Sequence, residues 1–193
     1  MTKRGSLLKE LFGWVLCASL WNFCSLMQFH ANKRRVVGAI ILATDPGVGG
    51  ATVARMEGGE LKAWSWGGEA EFLGLAEFMK LSAVDYKVTW HLEHPPKTTG
   101  RGRPESTGFV LGENYGFIKG VVQASGIRLH LIRPQEWQAG ITGIKGKEYK
   151  ERKNLIWEEA KRLFPAPAHV TKKNADAWMI LHHAVTSNKY DNK

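Results

Sequence analysis

Beyond residue 35 the chain alternates short apolar runs, turn residues and stretches of helical spacing. Val36 to Ala43 is an unbroken apolar run of strand length closed by Thr44-Asp45-Pro46-Gly47, which predicts a central strand buried on both faces. Ala51 to Met56 and Leu61 to Trp66 flank Glu57-Gly58-Gly59-Glu60, the pattern of a hairpin with a two-glycine turn. Ala70 to Ser82 has apolar residues at helical spacing, with Leu73, Leu75 and Ala76 expected to face inward. Val88 to Glu93 then reads as a strand ending at Pro95-Pro96, and Lys97 to Thr107 as a loop rich in Gly, Thr and Arg. A helix over Gly108 to Ala124, a strand over Ile127 to Ile132 stopped at Arg133-Pro134, and helices over Lys147 to Leu163 and Asn174 to Thr186 complete the order β-β-β-α-β-α-β-α-α. That order predicts an α/β domain, a five-stranded mixed sheet flanked by helices.

Residues 1–35 stand apart as a leader. Lys3, Arg4 and Lys9 precede the charge-free stretch Leu11 to Phe29, and Lys33, Arg34 and Arg35 close it. Its length suits membrane contact through residues 11–29 or a targeting peptide; the rival readings are a helix lying on the domain and upstream sequence included by a wrongly chosen start codon. The domain is expected over 36–187, with 188–193 as a tail. Both cysteines, Cys17 and Cys24, fall in the leader, so the domain has no disulfide framework and no thiolate metal site. A reducing, cytoplasmic setting (nucleoid or phage-infected cell) fits, with a membrane-anchored protein as the alternative.

Net charge is +9, and the part outside the leader gathers in clusters: Lys97, Arg101 and Arg103; Lys145, Lys147, Lys150, Arg152 and Lys153; Lys172 and Lys173. Such clusters favour a nucleic-acid partner over a merely solvated basic surface. Lys97, Arg101 and Arg103 are candidate phosphate contacts, and Lys145 and Lys147 extend the same basic track.

Aspartate is scarce: Asp45, Asp85, Asp176 and Asp191 are the whole set. Asp45 ends one apolar run, Glu93 ends another, and Asp176 opens the apolar helix ADAWMIL. An ionised carboxylate placed against a core is costly unless a cation or hydrogen-bond network compensates, so three of them converging suggest a bound metal. Oxygen donors of this kind suit Mg²⁺, with Mn²⁺ as the alternative, in a site holding two ions ~3.5–4 Å apart. Each has a plainer reading: Asp45 as a turn former in Asp-Pro-Gly, Glu93 as an ion-paired strand end, Asp176 as a first-turn acid favoured by the helix dipole.

Together the blocks ATDPGVGGATVA, HLEHPP, LGENYGFIKGVVQASGI, HLIRPQEWQ and NADAWMILHHA resemble the RuvC family of Holliday junction resolvases over roughly residues 36 to 187. The resemblance implies an RNase H-like fold, a homodimer, Mg²⁺ or Mn²⁺, and hydrolysis of DNA phosphodiesters across a four-way junction. Asp45, Glu93 and Asp176 match the family's acidic ligands. One position departs: where the family carries Asp or His three residues before the last Asp, this chain has Lys173, which cannot ligate a metal while protonated, so either a neighbouring residue substitutes, or one ion is held more weakly, or the ammonium contacts the scissile phosphate as a point charge. His183 follows Asp176 on the same helical face, as a core histidine or a group supporting the site.

Gly112, Gly116 and Gly120 form a bare stripe on the predicted fourth-strand-to-fifth-strand helix, for which the protein's own sheet or a twin subunit is the expected partner. Phe109, Tyr115 and Phe117 on that helix are either core or a base-stacking wedge. Three rival functions share parts of this pattern: an actin-like or sugar-kinase ATPase, an RNase H-like nuclease acting on flaps or RNA, and a catalytically impaired or membrane-tethered junction-binding protein.

Overall fold

The computed structural model describes residues 36–47, 50–66, 68–95, 105–164 and 169–187. The leader with both cysteines and the loop residues Lys97, Arg101 and Arg103 lie outside them. Among the described residues no helix is long and apolar enough to cross a membrane.

Strand β1 (Gly38–Asp45) is central in a five-stranded sheet of order β3-β2-β1-β4-β5, formed with β2 (Ala51–Arg55), β3 (Leu61–Ser65), β4 (Tyr86–Glu93) and β5 (Arg128–Ile132). β1, β2 and β3 pair antiparallel, whereas β4 and β5 join on the other side in parallel. This is the RNase H-like arrangement. Helices α1 (Glu69–Ser82), α2 (Glu105–Ala124), α3 (Pro134–Gln138), α4 (Tyr149–Leu163) and α5 (Ala175–Thr186) cover it.

Strand periodicity sorts the two faces. Ile40 and Leu42 of β1 and Val88, Trp90 and Leu92 of β4 pack with Phe72, Leu75, Ala76 and Met79 of α1 and Ile118 and Val122 of α2. Ala43 faces the other way, into a core with Ile156 and Ala160 of α4 and Ala177, Trp178, Ile180 and Leu181 of α5. Alternation then sends Asp45, two residues beyond Ala43, toward the α5 face.

Four differences from the pattern-based expectations have physical reasons. β1 starts later and runs further than the apolar run, because Thr44 and Asp45 find partners in Thr52 and Ala51 while Val36 and Val37 stay exposed. Leu73 is 47% exposed rather than inward; the buried stripe of α1 is Phe72, Leu75, Ala76 and Met79, and Leu73 falls about 100° off it. Arg133-Pro134 does end β5, but it also starts a short helix: Pro134 occupies the first turn, where its missing N–H is harmless, and the Arg133 amide donates to Glu136 Oε2 at 2.7 Å. Finally, a side chain added at Gly112, Gly116 or Gly120 would meet nothing within 4 Å among the described residues. The protein's own sheet is therefore not the stripe's partner.

The two-glycine hairpin is as expected: Gly58 and Gly59 have φ of 78° and 86°, and Met56 N–H donates to Glu60 O at 2.8 Å.

Below the carboxyl end of β1 runs a buried polar chain. Trp90 Nε1 donates to Thr44 Oγ1 at 2.8 Å, Thr44 and Thr52 hydroxyls share a 2.8 Å hydrogen bond, and Trp66 Nε1 donates to Thr52 Oγ1 at 3.1 Å. It ties β1 to the neighbouring strands one residue before Asp45, fixing the strand end on which that carboxylate sits.

Candidate active site

Parallel pairing of β1 and β4 sets the first relationship. Thr44 is opposite Leu92, so the next residues, Asp45 and Glu93, stand side by side at the carboxyl ends of adjacent strands. Open α/β sheets form their ligand crevices at such ends. Asp176 reaches the same place from the first turn of α5, which packs on β1, and it is only 7% exposed. All three carboxylates line one cleft of about 650 Å³.

Asp45 also makes the turn its Asp-Pro-Gly context suggested, since Gly47 N–H donates to Asp45 Oδ1 at 3.0 Å. Turn and cleft roles coexist because the side chain has a second oxygen.

Lys153 of α4 joins the carboxylates and was not singled out from the sequence. Its ammonium donates to Asp176 Oδ2 in an ion pair that is largely buried on both sides. Burial works against the charge, yet Asp176 and Asp45 outweigh it and hold the ammonium's pKa up. One signal was available: Lys153 precedes the buried Ile156 and Ala160 by three and seven residues, so it lies on the inward stripe of α4.

Two of the carboxylates, Glu93 and Asp176, are perturbed by burial and by neighbouring charge. Burial raises Glu93 well above the ordinary glutamate range, and the charges of Asp45 and Asp176 and a hydrogen bond with Asp45 push the same way, against Lys153. Asp176 is raised to about 6 by burial and by Asp45, again opposed by Lys153. A single ammonium thus supplies less positive charge than the cluster demands.

That deficit, the all-oxygen donor set and Asp176 Oδ1, which is buried without a hydrogen-bond partner among the described residues, fit a hard divalent cation. As they stand, no three His, Cys, Asp or Glu side chains among the described residues form a ready metal cage. An incoming ion would have to displace Lys153 from Asp176 or share that carboxylate with it.

Neither a protein-family model nor a curated protein matches the sequence. Among solved structures, the chain is similar to T. thermophilus RuvC in complex with Holliday junction substrate, at 15% identity over 76% of this chain and 92% of that one, with a TM-score of 0.49. A second Thermus thermophilus RuvC structure gives 15% identity, 76% and 93% coverage and a TM-score of 0.42. The yeast mitochondrial Holliday junction resolvase gives 10% identity, 80% and 82% coverage and a TM-score of 0.35.

Basic residues rim the cleft: Arg152, Lys172 and Lys173 line it together with Tyr149, Gln135 and Gln138. Lys173 is exposed in the turn just before α5. Lys172 donates to Asn154 Oδ1 at 2.9 Å and lies over the Trp157 ring at 4.8 Å. Lys145 and Lys147 are exposed in the segment preceding α4, Lys147 pairs with Glu151 at 3.7 Å, and neither lines the cleft.

His183 belongs elsewhere. It borders a separate cavity of about 120 Å³ that shares no lining residue with the cleft. His91 has its imidazole held neutral with a pKa near 3, chiefly by burial and then by His130 and His183. Of the three candidate wedge aromatics, Tyr115 packs at a tilt beside His94 and Phe117 edge-on against Phe72, while Phe109 is exposed. None of them lines the cleft.

Proposed function

We propose that the protein is a divalent-metal-dependent endodeoxyribonuclease that resolves four-way DNA junctions. The observation that carries this reading is the convergence of Asp45, Glu93 and Asp176, far apart in the chain, at the carboxyl ends of β1 and β4 within a cleft rimmed by Arg152, Lys172 and Lys173. Glu93 and Asp176, raised by burial and by neighbouring carboxylate charge, suit cation binding, and a basic rim suits a phosphate backbone.

In this reading Asp45, Glu93 and Asp176 hold Mg²⁺ or Mn²⁺, which when bound supplies activation of water and stabilisation of the leaving oxygen. Glu93 would hold the ion as a carboxylate, its proton released to solvent, and Asp176 would share its oxygens between the ion and Lys153. Lys173, a point charge at the cleft rim, meets a phosphate oxygen beside the cut. Arg152 and Lys172 hold the flanking backbone, and Lys97, Arg101 and Arg103 extend that grip. Two copies acting on one junction would give the paired cuts that resolution needs.

The test is a panel of labelled substrates: four-way junction, flap, duplex and RNA–DNA hybrid, each with Mg²⁺ and with EDTA. Cleavage of the junction in preference to the others, only with the cation, is the expected result. Preference for the flap or hybrid would keep the metal chemistry and replace the substrate. Junction binding without any cleavage would favour an impaired site in which the Lys153–Asp176 pair is the permanent state.

A further inference from the structure

We propose that the domain carries a membrane-docking surface, an exposed apolar edge formed by Val36, Val37, Phe78, Leu81 and Val84 that rests on an anionic lipid bilayer. The inference goes beyond the nuclease reading and does not depend on it.

These side chains are 46% to 66% exposed. Phe78 and Leu81 belong to the last two turns of α1, Val84 to the turn that leads into β4, and Val36 and Val37 precede β1. Backbone hydrogen bonds hold the pieces together: Val84 N–H donates to Leu81 O at 3.2 Å, and Val37 N–H to Asp85 O at 2.8 Å. They form one patch rather than the single apolar residues that any surface carries. In α1, Phe72, Leu75, Ala76 and Met79 are buried, while Phe78 and Leu81 stay exposed away from that stripe. The helix is therefore apolar on two faces with only one covered by the domain.

The surrounding chemistry favours lipid as the cover. In the sequence, Lys33-Arg34-Arg35 stand directly before Val36, and the charge-free stretch Leu11 to Phe29 stands before them. An apolar segment followed by a basic run has a lipid-binding composition, and a second contact turns weak membrane binding into stable anchoring. At the same end of the sheet Lys80, Lys87 and Arg128 are exposed alongside Glu77 and Asp85, and Lys80 pairs with Glu77 at 3.9 Å. The basic excess suits anionic head groups.

The geometry also keeps the two ends of the domain apart. β1, β4 and β5 run parallel, so the patch lies at their amino ends and Asp45 and Glu93 at the carboxyl ends of β1 and β4. The eight residues of β1 separate them by roughly 25 Å. A bilayer against the patch leaves the cleft open.

The experiment floats the full chain with vesicles of phosphatidylcholine containing about one third phosphatidylglycerol, and with pure phosphatidylcholine as the control. Flotation separates binding from aggregation. Wild type is expected to float with the anionic vesicles, and the double variant Phe78→Asp, Leu81→Asp to bind them about 10- to 100-fold more weakly. Phe109→Asp makes the same change of charge at an exposed ring outside the patch and is expected to bind like wild type. The thermal midpoint should hold at these exposed positions; if the double variant lowers it, Val84→Asp takes its place. Wild type that does not float overturns the proposal, and so does undiminished flotation of the patch variant, which would leave residues 1–35 as the whole lipid contact. Equal weakening by Phe109→Asp overturns it too, because charge alone would then account for the loss. Sedimentation velocity without vesicles covers the rival occupant: an oligomer split by the patch variant, with flotation unchanged, gives this face to a second copy.

Discussion

Lys153 of α4 and Asp176 of α5 form an ion pair inside the carboxylate cluster, so the site carries its own cation. With the ammonium removed, three acids face one another without their ion-paired partner, and only the weaker pull of Arg152 on Asp176 is left. Lys153→Met is expected to lower stability in EDTA by about 1–3 kcal/mol, less than a fully uncompensated buried charge because Asp176 can take a proton. Millimolar Mg²⁺ should restore part of that loss. Urea unfolding with EDTA and with Mg²⁺ checks it; equal stability of variant and wild type in EDTA would show that the pair contributes nothing.

Proton release should accompany cation binding. Glu93 and Asp176 hold their protons above the usual carboxylate range, Asp176 to about 6, and only the ionised forms bind a divalent ion. Affinity for Mg²⁺ or Mn²⁺ therefore rises as pH climbs through about 6 and continues to rise while Glu93 ionises. Calorimetric titration in buffers of different ionisation enthalpy counts the protons. Glu93→Gln should release fewer than the wild type, and pH-independent binding would contradict the coupling.

Acid should weaken the fold through His91. Its folded pKa lies near 3 against 6.5 for the ordinary imidazole. Below about pH 6.5 the unfolded chain accepts a proton that the folded chain refuses, so this contribution is complete above that pH and drains away as pH falls toward 3. The carboxylates act in both wild type and His91→Gln, so the difference isolates the histidine. Wild type should lose more stability than His91→Gln between pH 8 and pH 5, read from urea midpoints, and parallel profiles would refute the assignment.

Gly50 packs its backbone against the Trp66 ring, and a methyl group there would collide with the indole. Gly50→Ala must shift Trp66, breaking its 3.1 Å bond to Thr52 and loosening the chain that steadies the end of β1. A cost of about 1–3 kcal/mol is expected in urea unfolding. A change below about 0.5 kcal/mol would mean that Trp66 moves freely.

Much of this site was legible because its determinants are local. An apolar run ending at Asp45, another ending at Glu93 and a helix opened by Asp176 are visible in the order of residues, and parallel pairing of two strands makes their ends neighbours. Lys153 was hidden because its meaning depends on which stripe of α4 packs inward, and a lysine in a charged helix reads as solvated until that face is known. Leu73 failed for the same reason in reverse, since a leucine adjacent to a buried stripe shares its composition but not its direction. Pro134 was read as a stop although proline also starts helices, and only the Glu136 bond to the Arg133 amide decides between the two.

The central claim is that Asp45, Glu93 and Asp176 act together as a cation-binding nuclease centre. Its most direct test is the single-turnover cleavage rate of a four-way junction against Mg²⁺ concentration for wild type, Asp45→Asn, Glu93→Gln and Asp176→Asn, with junction affinity measured in Ca²⁺. The account predicts Mg²⁺-dependent cutting by the wild type, a loss of at least about 100-fold in each amide variant and junction affinity kept within a few fold. Full cutting by Asp45→Asn, or cutting by the wild type in EDTA, would contradict it.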